Sequence, residues 1–117
     1  MYKRKNQQDD YLEDLKKKGD ANVEIGNYEE AIKDYNKALQ IDPELSNVLN
    51  NRGEAKYLSG QYEEALKDYD KALKIKPDSS LYLSNRGNLK RQLGKYEEAI
   101  KDYDKALKIK PDSSLYL

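Results

Sequence analysis

Apolar residues recur along this chain at steps of three and four. Between Tyr62 and Ile75 they fall at Ala65, Leu66, Tyr69, Ala72 and Leu73, which makes one stripe on a helix. Glu and Lys occupy the other side. Glu29 with Lys33, Glu63 with Lys67 and Glu97 with Lys101 have the four-residue spacing and the polarity that favour ion pairing along a helix. Gly26, Gly60 and Gly94 stand where a chain reversing between two helices needs a left-handed residue. Pro43, Pro77 and Pro111 push the residue before them out of helical conformation. Asn27 followed by Glu30 has the spacing of a capping box, and Gln61 and Lys95 fill the same place less well. The pattern predicts six helices, near 8–25, 28–41, 45–59, 62–75, 80–93 and 96–109.

The pattern is periodic. The three prolines are 34 residues apart, and the same interval relates Gly19, Gly53 and Gly87, Tyr28, Tyr62 and Tyr96, Ala31, Ala65 and Ala99, Asp34, Asp68 and Asp102, and Tyr35, Tyr69 and Tyr103. Residues 62–83 and 96–117 differ at one place, Leu66 against Ile100, which fits recent duplication or engineering. With Leu-x-x-x-Gly, then Gly-x-Tyr-x-x-Ala-x-x-x-Tyr-x-x-Ala and a closing Pro, the period resembles the tetratricopeptide repeat. The likeness covers three units, 12–45, 46–79 and 80–113, with 1–11 as an extension of the first helix and 114–117 as the truncated start of a fourth. It implies an all-α fold, a right-handed α-solenoid of antiparallel helix pairs. In that reading Gly19, Gly53 and Gly87 let the two helices of a pair approach, with Ala31, Ala65 and Ala99 opposite them, and Tyr35, Tyr69 and Tyr103 fill the space between pairs. Two places depart from the common family pattern: Lys18, Arg52 and Arg86 are seventh in their units, and Asn22, Lys56 and Lys90 eleventh. These polar side chains are expected to lower packing quality.

Composition narrows the function. Lys plus Arg and Asp plus Glu each number 22, so the net charge is zero, which argues against a broad footprint for nucleic acid or membrane. There is no His and no Cys, hence no usual general base, no thiolate and no common metal site; no cofactor or metal is expected. Neighbouring carboxylates such as Glu29 with Glu30, or Asp68 with Asp70, read as solvated helix faces, because catalytic pairs need burial and separated pKa values. The Lys3-Arg4-Lys5 cluster is offset by Asp9 and Asp10 and reads as a frayed terminus. The repeated tyrosines are in phase with the apolar stripe and read as core, not as a stacking platform for bases. A soluble, cytoplasmic, non-enzymatic protein is expected.

The resemblance also implies a partner surface. In tetratricopeptide repeats the first helix of each pair lines a groove for an extended peptide or a partner helix. By position, the groove here comprises Glu13, Lys16, Lys17, Asp20, Val23 and Glu24, then Asn47, Asn50, Asn51, Glu54, Tyr57 and Leu58, then Leu81, Ser84, Asn85, Asn88, Arg91 and Gln92. A ladder of Asn amides can bond to a ligand backbone whatever its side chains. Tyr57 and Leu58 are the apolar anchor candidates. The family's clamp for chaperone C-terminal carboxylates is matched only by Lys16 and Asn51; Asp20, Leu81 and Asn85 replace its other members, so no such clamp is expected. A second reading makes the chain a self-assembly unit, a dimer or a head-to-tail stack, through Tyr103, Leu107, Ile109, Leu115, Tyr116 and Leu117 at its uncapped end.

Overall fold

A computed structural model describes residues 6–111; the Lys3-Arg4-Lys5 cluster and the assembly candidates Leu115, Tyr116 and Leu117 lie outside the described residues. Among the described residues six helices follow one another: α1 (Gln7–Glu24), α2 (Tyr28–Ile41), α3 (Ser46–Leu58), α4 (Tyr62–Ile75), α5 (Ser80–Gln92) and α6 (Tyr96–Ile109). Their ends fall within two residues of the spans expected from the sequence, and no strand occurs among the described residues. Each helix packs on its neighbours in the chain, and α1 also touches α3, and α3 touches α5. The odd-numbered helices therefore form one row and the even-numbered ones back it, an α-solenoid of helix pairs with extents of 45 × 38 × 26 Å.

The turn inside each pair is set by its glycine. Gly26, Gly60 and Gly94 have φ of 82°, 85° and 79°. Gly26 N–H donates to the Val23 carbonyl at 3.0 Å and Asn27 N–H to the Asn22 carbonyl at 2.8 Å, which ties off the last carbonyls of α1; the other two turns repeat this pairing. The same geometry removes the expected capping box. Asn27 makes no side-chain cap, and neither do Gln61 and Lys95. The reason is competition: the Asn27 N–H that Glu30 would have to reach is already given to the preceding helix. Side-chain caps appear where the approach is extended, at Asn6 and Ser79, which accept from the N–H groups of Asp9 and Tyr82. On the outer faces Lys33 and Lys67 pair with Glu30 and Glu64, three residues back, in place of the expected partners four back.

The core is a string of small contacts. Leu15, Ala31, Tyr35, Ala38 and Leu39 join Val48, Leu49, Ala55, Ala72, Leu73, Tyr82 and Leu83 in one buried cluster, and Ala65, Tyr69 and Leu89 form a second. The side chain nearest to Gly19, Gly53 and Gly87 is a tyrosine of the same pair and not the expected alanine. A methyl group on Gly53 would lie 2.8 Å from the Tyr69 ring, and one on Gly87 would lie 2.8 Å from the Tyr103 ring; Gly19 stands in the same relation to Tyr35. The tyrosines thus pack within a pair as well as between pairs, and the glycines are the space their rings occupy.

Candidate binding surface

The basic residues at the seventh and eleventh places do not loosen the packing; they organise it. Arg52 grips Asp68 through Nε at 2.8 Å and Nη2 at 2.7 Å, while its Nη1 donates to Asn36 Oδ1 at 2.8 Å. Lys56 Nζ lies 3.1 Å from the same Asp68. One pair later, Arg86 holds Asp102 at 2.9 and 2.8 Å and reaches Asp70 at 3.0 Å, with Lys90 at 3.4 Å from Asp102. Asp68 and Asp102 are buried, and each lies against two cations, which offset the cost of placing a carboxylate away from water. Burial pushes Asp102 upward, and the hydrogen bonds and charges of Arg86 and Lys90 outweigh it and hold the carboxyl below its usual range. Arg86 is correspondingly raised by its bond to Asp102. In the first pair the corresponding Asp34 accepts instead from Asn22 Nδ2 at 3.0 Å, and Lys18 is exposed.

These clasps fix α3 and α5 against α4 and α6, and so fix the face they present. Across that face runs a chain of polar bonds. Tyr35 Oη donates to Asp20 Oδ1; Asn51 Nδ2 donates to the same oxygen at 3.2 Å; Asn50 Nδ2 donates to Asn51 Oδ1 at 3.3 Å; and Asn85 Nδ2 donates to Asn50 Oδ1 at 3.0 Å. Asn50 is only 3% exposed, with both ends of its amide engaged. At the far side Tyr103 Oη donates to Asn88 Oδ1. Burial, with added effects of Asp20 on Tyr35 and Glu54 on Tyr69, raises the pKa of both phenols.

Beside this chain, α3 and α5 enclose a depression of about 310 Å³ lined by Glu54, Tyr57, Leu58, Tyr69, Asn85, Asn88 and Arg91. Six of these were groove candidates from the sequence; Tyr69 was read only as core. Tyr57 is half-buried and meets Tyr62 edge to face at 5.6 Å, whereas Leu58 is 48% exposed. Of the remaining candidates, Lys16 pairs with Glu13 at 3.3 Å, Asn47 is exposed and Ser84 half-buried, and none of them lines the depression. A wider hollow of about 750 Å³ lies between Glu44 and the α4 residues Lys67, Asp70, Lys71, Lys74 and Ile75. Its lining carries three lysines, two carboxylates and one apolar side chain. Among the described residues no metal-ligating group assembles, and no helix is long and apolar enough to cross a membrane.

At the end of the row, the α6 face that corresponds to buried parts of α2 and α4 is open. Tyr96 and Ile100 are more than half exposed and Ile109 is exposed. Tyr103 and Leu107 are half-buried, while Tyr35, Leu39, Tyr69 and Leu73 at the same register are buried.

A family model described as tetratricopeptide repeat matches residues 44–112, and a second, described as TPR repeat, matches residues 19–60. No curated protein matches in sequence. Among solved structures, the first TPR domain of Spaghetti (RPAP3), bound to the HSP90 peptide SRMEEVD, is 31% identical, with a TM-score of 0.84, 88% of this chain covered and 82% of that one. The Sgt2 TPR domain from Aspergillus fumigatus is 31% identical, with a TM-score of 0.82 and coverage of 86% and 67%. The first TPR domain of human RPAP3 is 31% identical, with a TM-score of 0.83 and coverage of 87% and 80%.

Proposed function

Because the chain belongs to the tetratricopeptide repeat family of protein-interaction modules, we propose that it is a non-enzymatic scaffold that holds an extended peptide or a partner helix against α1, α3 and α5. The observation that carries this reading is the depression between α3 and α5, with apolar Leu58 at its edge, amides of Asn85 and Asn88 in its wall and charges of both signs, Glu54 and Arg91, at its rim. Asn51 and Asn85 are already oriented by bonds to Asp20 and Asn50, so a ligand does not have to order them. The solved relatives bound to an HSP90 peptide support a peptide partner in general. The specific carboxylate clamp is not part of the proposal: Asp20 places an anion where an uncharged amide is needed, and Asn51 is engaged with it. We place the protein in the cytoplasm.

The test uses an array of immobilised peptides probed with the intact chain. Leu58→Glu and Arg91→Glu alter exposed side chains, and both are expected to abolish the captured signal without changing helix content. Retention of all captured peptides by both variants would sink the reading. A second reading, self-association through the ends of the row, is favoured by the open α6 face.

A further inference from the structure

Of the seven large apolar side chains exposed among the described residues, five lie at the two ends of the row: Tyr11 and Ile25 at α1, and Tyr96, Ile100 and Ile109 on α6. We propose that these ends fit each other, so that α1 of a second copy covers α6 as α3 covers α2 and α5 covers α4. The proposal rests on the self-association reading above and adds its partner, register and polar contacts.

The register follows from the repeat. Val48 and Ala55 of α3, and Tyr82 and Leu89 of α5, are buried, while Asp14 and Ala21, which stand 34 residues before Val48 and Ala55, are exposed. Among the described residues nothing packs on that face of α1, whereas its counterparts on α3 and α5 lie against α2 and α4. The α6 sequence matches α4 except for Ile100 in place of Leu66, so it offers the surface that α5 already covers on α4. The polar contacts agree. Arg52 reaches back to Asn36, and Arg86 reaches back to Asp70. One period further along stands Asp104, and one period before Arg52 stands Lys18. Both are exposed, and they carry opposite charge at the two ends that this register brings together. Asp14 is the one poor fit, because it occupies the place of Val48 and Tyr82. The contact uses different surfaces on the two partners and does not close on itself, so the product is an open row that grows with concentration.

The test is sedimentation equilibrium of the full chain over a concentration series, with helix content checked for each variant. Lys18→Glu and Asp104→Lys are each expected to weaken association roughly threefold to tenfold, and a mixture of the two single variants is expected to recover it through the swapped pair. Asp14→Tyr, which supplies the Tyr82 counterpart, is expected to strengthen association about tenfold. Association that ignores both reversals would overturn this register while leaving self-association standing. A monomer at every concentration, Asp14→Tyr included, would overturn both. A chain shortened to residue 111 adds one arm: unchanged or stronger association supports α1 as the occupant, and lost association assigns the α6 face to residues 112–117 and overturns the proposal.

Discussion

Replacing Arg86 with Met keeps the stem of the side chain and removes its charge. The lost bonds are those from Nε and Nη2 to Asp102 at 2.9 and 2.8 Å and from Nη1 to Asp70 at 3.0 Å. Asp70 is half exposed, and its share is below about 1 kcal/mol. Asp102 is 5% exposed and retains only Lys90, at 3.4 Å. Removing one partner of a buried pair costs about 3–5 kcal/mol; with Lys90 still present the expected loss is about 2–4 kcal/mol, a large part of the roughly 5–15 kcal/mol that stabilises a domain. Lys18→Met is the internal control. Lys18 is exposed and Asp34 is satisfied by Asn22, so that change is expected to stay within about 0.5 kcal/mol. Urea unfolding followed by circular dichroism measures both. Replacing Arg86 with Met and Asp102 with Leu together is expected to recover most of the loss, since the buried carboxylate is then gone and Lys90 keeps Glu98 at 3.5 Å. A cost below about 1 kcal/mol for Arg86→Met, or an equal cost for Lys18→Met, would refute the claim that these charges hold the helix pairs together.

Gly53→Ala forces a methyl group to 2.8 Å from the Tyr69 ring and should cost about 1–3 kcal/mol, whereas Gly60→Ala meets nothing within 4 Å and costs about 1–2 kcal/mol through its φ of 85° alone; thermal unfolding separates a ring clash, relieved by Tyr69→Leu, from a backbone effect that is not. The lowered Asp102 pKa makes stability from this group fully present above about pH 4, the usual carboxylate value, and lost as pH falls from there through the folded value; Asp102→Asn should flatten that limb of an acid titration. The raised Tyr35 and Tyr69 pKa values act at the other end, where stability is intact below about pH 10 and falls as the unfolded chain releases protons the folded one retains, and Tyr35→Phe should blunt that alkaline loss. An acidic peptide ending in a free carboxylate should not bind tightly, and the triple change Asp20→Asn, Leu81→Lys, Asn85→Arg should create binding measurable by calorimetry; tight binding by the unmodified chain, abolished by Lys16→Ala, would refute this.

The six helices were legible because Gly and Pro mark their ends at a fixed interval, and the local chemistry of those residues dominates tertiary effects. The groove candidates were legible as a row of positions. Which of them share one depression was not, because that depends on how α3 and α5 sit against each other. Arg52 and Arg86 look like a packing defect from their own positions alone, while the partner that explains each lies 16 residues ahead. A signal was present: Asp34, Asp68 and Asp102 recur with the apolar stripe, and a carboxylate on a helix face that packs inward needs a polar partner, a cation for Asp68 and Asp102 and an amide for Asp34. Tyr69 opposite Gly53 carries the same lesson at the same separation of 16 residues. The Asn27 cap failed for a different reason, since a local motif lost its N–H to the preceding turn.

The two polar systems divide the work between them. Bonds from Arg52 and Arg86 run from the odd-numbered helices into the even-numbered ones: those to Asp68 and Asp102, within a pair, reach buried carboxylates for which a missing partner is costly, while those back to Asn36 and Asp70 of the preceding pair are exposed. The amide chain from Asp20 through Asn51 and Asn50 to Asn85 runs along the row instead, at the surface where a ligand would lie. Its one buried member, Asn50, lets its neighbours be half exposed and still oriented, so exposure needed for binding and order needed for affinity are supplied by different residues. In the first pair Lys18 does not clasp its aspartate, and Asn22 serves in its place with one neutral bond. The surface is therefore held more firmly at α3 and α5 than at α1, which is the same place as the depression that is offered as the binding site.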